Sequence, residues 1–139
     1  MSLTTEEAEQ ILAACAAAAR EHGYEVGIAV ADEHGDALVA RRSEEKTGLT
    51  LRLSLAKAYT AAIMRKPSRT LDDWQQTRPI VLSALSQLGQ YPIVPGDGGM
   101  PILREGKVIG GVGMSGAPEL EDTIIQGVLR TLGFDDISA

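Results

Sequence analysis

After Thr4-Thr5-Glu6-Glu7, which has the form of a capping box, apolar residues recur at helical spacing at Ala8, Ile11, Leu12, Cys15 and Ala19. Gly23 follows as a natural stop, so the pattern predicts a first helix over this span. The period then changes. Val26 to Ala31 is a β-rich run, Asp32 to Asp36 supplies turn residues and Ala37 to Ala40 returns, which predicts a hairpin. The charged run Arg41 to Lys46 reads as a solvated connection. From Thr50 to Met64 the helical pattern resumes, with Leu51, Leu55, Ala58 and Ala62 facing inward beside Leu53 or Ile63, until Pro67 prevents continuation.

Thr70 is placed to cap a short helix that begins at Leu71 and carries Trp74, and Pro79 opens another run through Val81, Leu82, Leu85 and Leu88 to Gly89. Met100 to Leu103 and Lys107 to Val112 flank Glu105-Gly106 as a second hairpin, with Pro101 near its start on an edge or at a bulge. A last helix is expected from about Glu119 to Leu132, with Leu120, Ile124, Val128 and Leu132 on one face. The order is helix, hairpin, helices, hairpin, helix. Two hairpins share one mainly antiparallel sheet most simply, with helices on both faces, so the expectation is a single three-layer α+β domain over residues 1–139.

Composition narrows the class. The net charge of -6 argues against a nucleic-acid or anionic-membrane partner, both of which ask for a basic face. No apolar run approaches the length of a spanning helix and no basic leader precedes one, so a soluble, cytoplasmic protein is expected. Cys15 is the only cysteine, which excludes an internal disulfide and a cysteine-based zinc cluster, and no metal site is expected.

Eight of the fifteen glycines lie between Pro95 and Gly116. Gly111-Val112-Gly113-Met114-Ser115-Gly116 satisfies the dinucleotide pattern G-x-G-x-x-G. The helix, further parallel strand and acidic residue that the dinucleotide unit requires do not follow it. A phosphate loop lacks its Gly-Lys-Ser/Thr, and Ala117 stands where a nucleophile elbow around Ser115 needs glycine.

The chain resembles the GlcG/HbpS-like family, which also includes the C-terminal domain of PduO-type corrinoid adenosyltransferases. The resemblance rests on Val30-Ala31-Asp32 with Gly35, Arg42, Ala56-Lys57-Ala58 with Thr60-Ala61, Gly98-Gly99-Met100-Pro101-Ile102, and Ile109 through Gly116 followed by Asp122. It covers nearly the whole chain and departs at Gln126-Gly127, where many members carry small alanines. It implies a profilin-like fold, a homo-oligomer (dimer or octamer) and a ligand pocket beside the matching loops. Family members are variously described as haem-binding, as sensors or as companions of catabolic operons, so haem is the one cofactor it suggests.

Read as a residue, Lys57 either snorkels to solvent from its apolar helix or points its ammonium into a pocket; the resemblance points to the pocket. Backbone N–H groups at Gly98, Gly99, Ser115 and Gly116 are candidate donors to a carboxylate, helped by the start of the last helix, with the alternative that these glycines only make tight turns. Arg42 and Arg52 are candidates for a clamp or for solvated ion pairs. The expected function is an oligomeric domain binding a small carboxylate or the propionate edge of a tetrapyrrole at Lys57, Gly98, Gly99, Ser115, Gly116 and Arg42. The alternative is a small cofactor-independent isomerase, tautomerase or decarboxylase of a carboxylate metabolite, with Lys57 stabilising an enolate and Asp97 or Asp122 moving the proton. His22, His34, Tyr24, Tyr59, Tyr91, Cys15 and the internal methionines are the available haem ligands, and no motif selects among them.

Overall fold

A computed structural model describes residues 2–137. Helix α1 (Thr5–Glu21) leads into a hairpin of β1 (Gly27–Asp32) and β2 (Ala37–Arg42), followed by the central helix α2 (Gly48–Met64). A single 3-10 turn (Ser68–Leu71) and the short α3 (Trp74–Thr77) precede α4 (Pro79–Leu88). The second hairpin, β3 (Gly99–Arg104) and β4 (Lys107–Ser115), then leads to α5 (Glu121–Thr131). The expected capping box is present: Thr4 Oγ1 accepts from the Glu7 N–H while the Glu7 carboxylate accepts from the Thr4 N–H.

The sheet has the order β2-β1-β4-β3 and every neighbour is antiparallel, so the two hairpins join through β1 and β4. Alternation decides which residues face which layer. Ile28, Val30, Met100, Ile102, Val112 and Met114 enter the main core with Ile11, Cys15, Ile125 and Leu129 of α1 and α5. On the opposite face Ala29 and Ala31 pack on Ala58 of α2. Beyond α2 a smaller cluster of Tyr59, Leu71 and Ile93 carries α3 and α4. The three-layer α+β expectation holds, and α2 lies between the sheet and this outer cover.

That position explains why Ser54 and the run Ala56–Ala62 are buried on α2, while Leu53 and Ile63, one or other of which was expected to face inward, stand 38% and 40% exposed. It also gives the glycines their role. A Cβ at Gly113 would sit 2.0 Å from the Ser54 carbonyl oxygen, and one at Gly111 would sit 2.4 Å from that of Ala58. Bare backbone on this face lets α2 rest directly against the sheet.

Several boundaries differ from those the pattern predicts. Arg41 and Arg42 belong to β2, paired with Ile28 and Gly27, rather than to a solvated loop. β4 runs past Val112 to Ser115, opposite Gly27. Thr70 gives its hydroxyl to the Pro67 carbonyl inside the 3-10 turn and caps no helix. Leu88 is 82% exposed, and α5 starts two residues late because Glu119 takes a left-handed φ of 69°.

Candidate functional site

The structure brings Lys57, Gly98, Gly99, Ser115, Gly116 and Asp122 together where α2, the start of β3, the end of β4 and the start of α5 meet. Lys57 is buried, and its Nζ donates to the Met114 carbonyl at 2.9 Å and to Glu121 Oε1 at 3.1 Å. The other oxygen of Glu121 accepts the N–H groups of Gly116 and Ala117, at 3.0 and 3.1 Å. The anion that satisfies the lysine and the loop donors is thus a side chain of the protein. Glu121 is the first residue of α5, where a carboxylate also meets the positive end of the helix.

The remaining loop donors are likewise engaged. The Gly98 N–H donates to Asp122 Oδ1 at 2.8 Å, and the Gly99 N–H donates to Ser68 Oγ at 2.9 Å. Arg69 reaches Asp122 Oδ2 at 3.2 Å. Burial pushes the Asp122 carboxyl above its ordinary value; the Gly98 bond and Arg69 pull it back, and the nearby charge of Asp97 adds to the push. Asp97 itself is exposed. Gly98, at φ 105°, has room for no side chain: a Cβ would meet Glu121 Oε1, the Met114 carbonyl oxygen and Lys57 Nζ within 2.7 Å. Ser115 Oγ is buried and has no hydrogen-bond partner among the described residues.

Arg42 lies elsewhere. Its Nη1 donates to the carbonyls of Ser43 and Lys46, and the residue borders a slot of about 300 Å³ between α1 and the first hairpin. A second opening, a groove of about 340 Å³, runs between α1 and α5 over Ala14, Ala18, Ile124, Gly127 and Val128, with His22 and Leu132 at its edge. Neither opening is lined by Lys57, Gly98 or Ser115.

Glu121, Ser68 and Arg69 were missed in the sequence. Glu121 lies 64 residues from Lys57, and an acidic residue in the first turn of a helix is accounted for by the helix dipole alone, so no local signal pairs the two.

A family model described as haem degrading protein HbpS-like matches residues 3–127, most of the chain. The chain belongs to the HbpS-like family. Among curated members, a 15.0 kDa protein of the dhaT-dhaS intergenic region of Citrobacter freundii is 32% identical over 124 residues, covering 89% of this chain and 87% of its own. Protein GlcG of Escherichia coli K12 is 29% identical, covering 81% of each. The HbpS-like fold recurs in the solved PduOC:heme complex, with a TM-score of 0.85 at 26% identity, covering 99% of this chain and 100% of that one. These matches bear out the resemblance and the fold, and they support a ligand-binding domain.

Proposed function

We propose that this HbpS-like domain binds haem in the groove between α1 and α5, with the His22 imidazole holding the iron. The observation that carries the reading is the coincidence of an apolar groove with a histidine at its edge. A tetrapyrrole needs apolar walls for the ring and one strong axial donor. The other available ligands fit less well. Cys15 is buried and its thiol is pushed up to about 12, so it supplies no thiolate. Met100 and Met114 are sealed in the core, and His34, exposed like His22, sits in a hairpin turn and does not line the apolar groove. The described residues contain no group of three acidic, histidine or cysteine side chains that suits a bare metal ion.

Bound haem supplies redox and dioxygen chemistry at its iron. The chain's own contribution is positional. His22 provides a nitrogen lone pair, while the small residues Ala14, Ala18 and Gly127 leave an apolar wall against which a ring can stack. The PduOC:heme complex supports haem as the ligand by kinship. The carboxylate-enzyme alternative receives less support, because Lys57 is neutralised by Glu121 and presents no free ammonium to a substrate.

The domain works, in this reading, as a homo-oligomer. Ile80, Val81 and Leu88 of α4 are 83%, 46% and 82% exposed, and a second copy is the partner that covers them.

The test is titration with hemin monitored by absorbance in wild type, His22→Ala and His34→Ala. Saturable binding with a Soret shift is expected in wild type and His34→Ala, and at least tenfold weaker binding or a changed band in His22→Ala. No saturable binding, or an unchanged spectrum and affinity in His22→Ala, would overturn the assignment.

A further inference from the structure

Every glycine of this chain but one has a reason inside the fold. Each either holds a positive φ, where a side chain is strained, or would bring a Cβ within 4 Å of another residue's atoms. Gly127 does neither. It stands inside α5, between Gln126 and Val128, with open space where its Cβ would lie. Glycine weakens a helix relative to alanine, because its backbone gives up more freedom on folding. Nothing within one copy of the protein offsets that loss.

Gly127 lines the groove between α1 and α5, and two lines of residues wall that groove. Ala14, Ala18 and the C-cap His22 follow one another at four-residue spacing on α1, and Thr123, Gly127 and Thr131 do so on α5. Residues at this spacing lie one above the other on a single helix face. Gly127 is the midpoint of its line, beside the buried Ile124 and Val128. The centre of the groove is therefore bounded by a single methyl on α1 and by bare backbone on α5.

We propose that Gly127 sets the depth of the haem seat: with no side chain at this point, the tetrapyrrole ring reaches the backbone of α5, and the helix stability given up at the glycine is room for the ring. This rests on the haem reading, and it concerns the fit of the ring rather than the bond to iron. A ring held off its wall by about 0.5–1 Å loses roughly a quarter to a half of the dispersion attraction to it. A methyl at position 127 imposes such a gap, and a branched side chain fills the seat.

Thermal melts of the full-length, haem-free protein, with titrations of hemin by absorbance and of iron-free protoporphyrin IX by fluorescence, test it. Gly127→Ala should raise Tm by about 2–3 °C while weakening both rings several-fold. Gly127→Leu should melt no lower than wild type and weaken both at least tenfold. Opposite movement of stability and affinity is what a merely structural glycine would not give. Gln126→Ala, at a neighbour that lines a different and smaller cavity, should leave both affinities unchanged, and His22→Ala should weaken hemin alone. Equal binding of both rings by wild type and Gly127→Leu, or a lower Tm in Gly127→Ala, overturns the role of Gly127 and leaves the haem reading standing. Loss of both rings in Gly127→Leu with neither weakened in His22→Ala supports the seat and removes His22 from the iron. Absence of saturable binding of either ring to wild type overturns both.

Discussion

The buried pair of Lys57 and Glu121 makes the sharpest quantitative demand on this structure. The two side chains are 9% and 7% exposed and 3.1 Å apart, and between them they satisfy the Met114 carbonyl and two backbone N–H groups at the entrance to α5. Removing one member of such a pair leaves a charge in a medium that solvates it poorly, at a cost of about 3–5 kcal/mol. For a chain of 139 residues this corresponds to a fall in Tm of roughly 10–17 °C, from an unfolding entropy near 2.1 cal/mol/K per residue. Glu121→Gln should lie at the upper end, because it strands the ammonium against one carbonyl and a neutral amide. Lys57→Met should lie at the lower end, because the carboxylate keeps two N–H donors and the helix dipole. The double variant should cost much less than the sum of the two, giving a coupling of about 1.5 kcal/mol or more. Urea unfolding followed by circular dichroism measures all three. If Lys57→Met costs under about 1 kcal/mol, or the two changes simply add, the pair is not the closed unit described and the lysine faces an external ligand after all.

Two further outcomes follow from the same geometry. Gly127→Ala removes a glycine from the interior of α5 at a position with nothing within 4 Å of the new Cβ, and should stabilise the protein by about 0.5–1 kcal/mol, whereas Gly113→Ala drives a methyl into the backbone of α2 and should destabilise by at least 1–3 kcal/mol; thermal melts giving both the same sign would refute the packing account. The folded protein holds the Asp122 proton more readily than the unfolded chain does, so the stability tied to that proton is fully present below the ordinary value of 3.8 and is lost as pH rises through the raised native value. Wild type should therefore gain on Asp122→Asn as pH falls through that window, and a stability difference that stays constant with pH in urea melts would refute it.

Most of the element order was legible. The capping box at Thr4 and Glu7, the helix stop at Gly23, the hairpin turn at Glu105-Gly106 and the Ile124–Val128 part of the α5 stripe are signals carried within a few residues, and the structure keeps each of them, whereas Leu132, expected on the same face, only caps the helix and is 38% exposed. The candidate site was legible as a gathering of residues but not as a chemistry. Lys57 and the loop glycines do converge, yet whether their donors face a ligand or an internal carboxylate depends on Glu121 and Asp122, which come from another element. Arg42 was separable from Lys57 only once β2 was seen to run through Arg41 and Arg42, because a charged run reads alike as a loop or as a strand end.

The sequence by itself determined the alternation of helix and hairpin, the antiparallel character of the sheet and the need for bare backbone between Pro95 and Gly116, because these rest on local periodicity and on sterics at single residues. Only the tertiary structure decided what the glycines are for. Gly111 and Gly113 admit the backbone of α2, while Gly98 makes room for a lysine and its built-in counter-ion. It also decided that an opening lies on each side of α1 and another at the Gly106 turn, none of them lined by Lys57, Gly98 or Ser115. Charge partners and cavities are relations between segments far apart in the chain, and they become defined only when β1 pairs with β4 and closes the sheet.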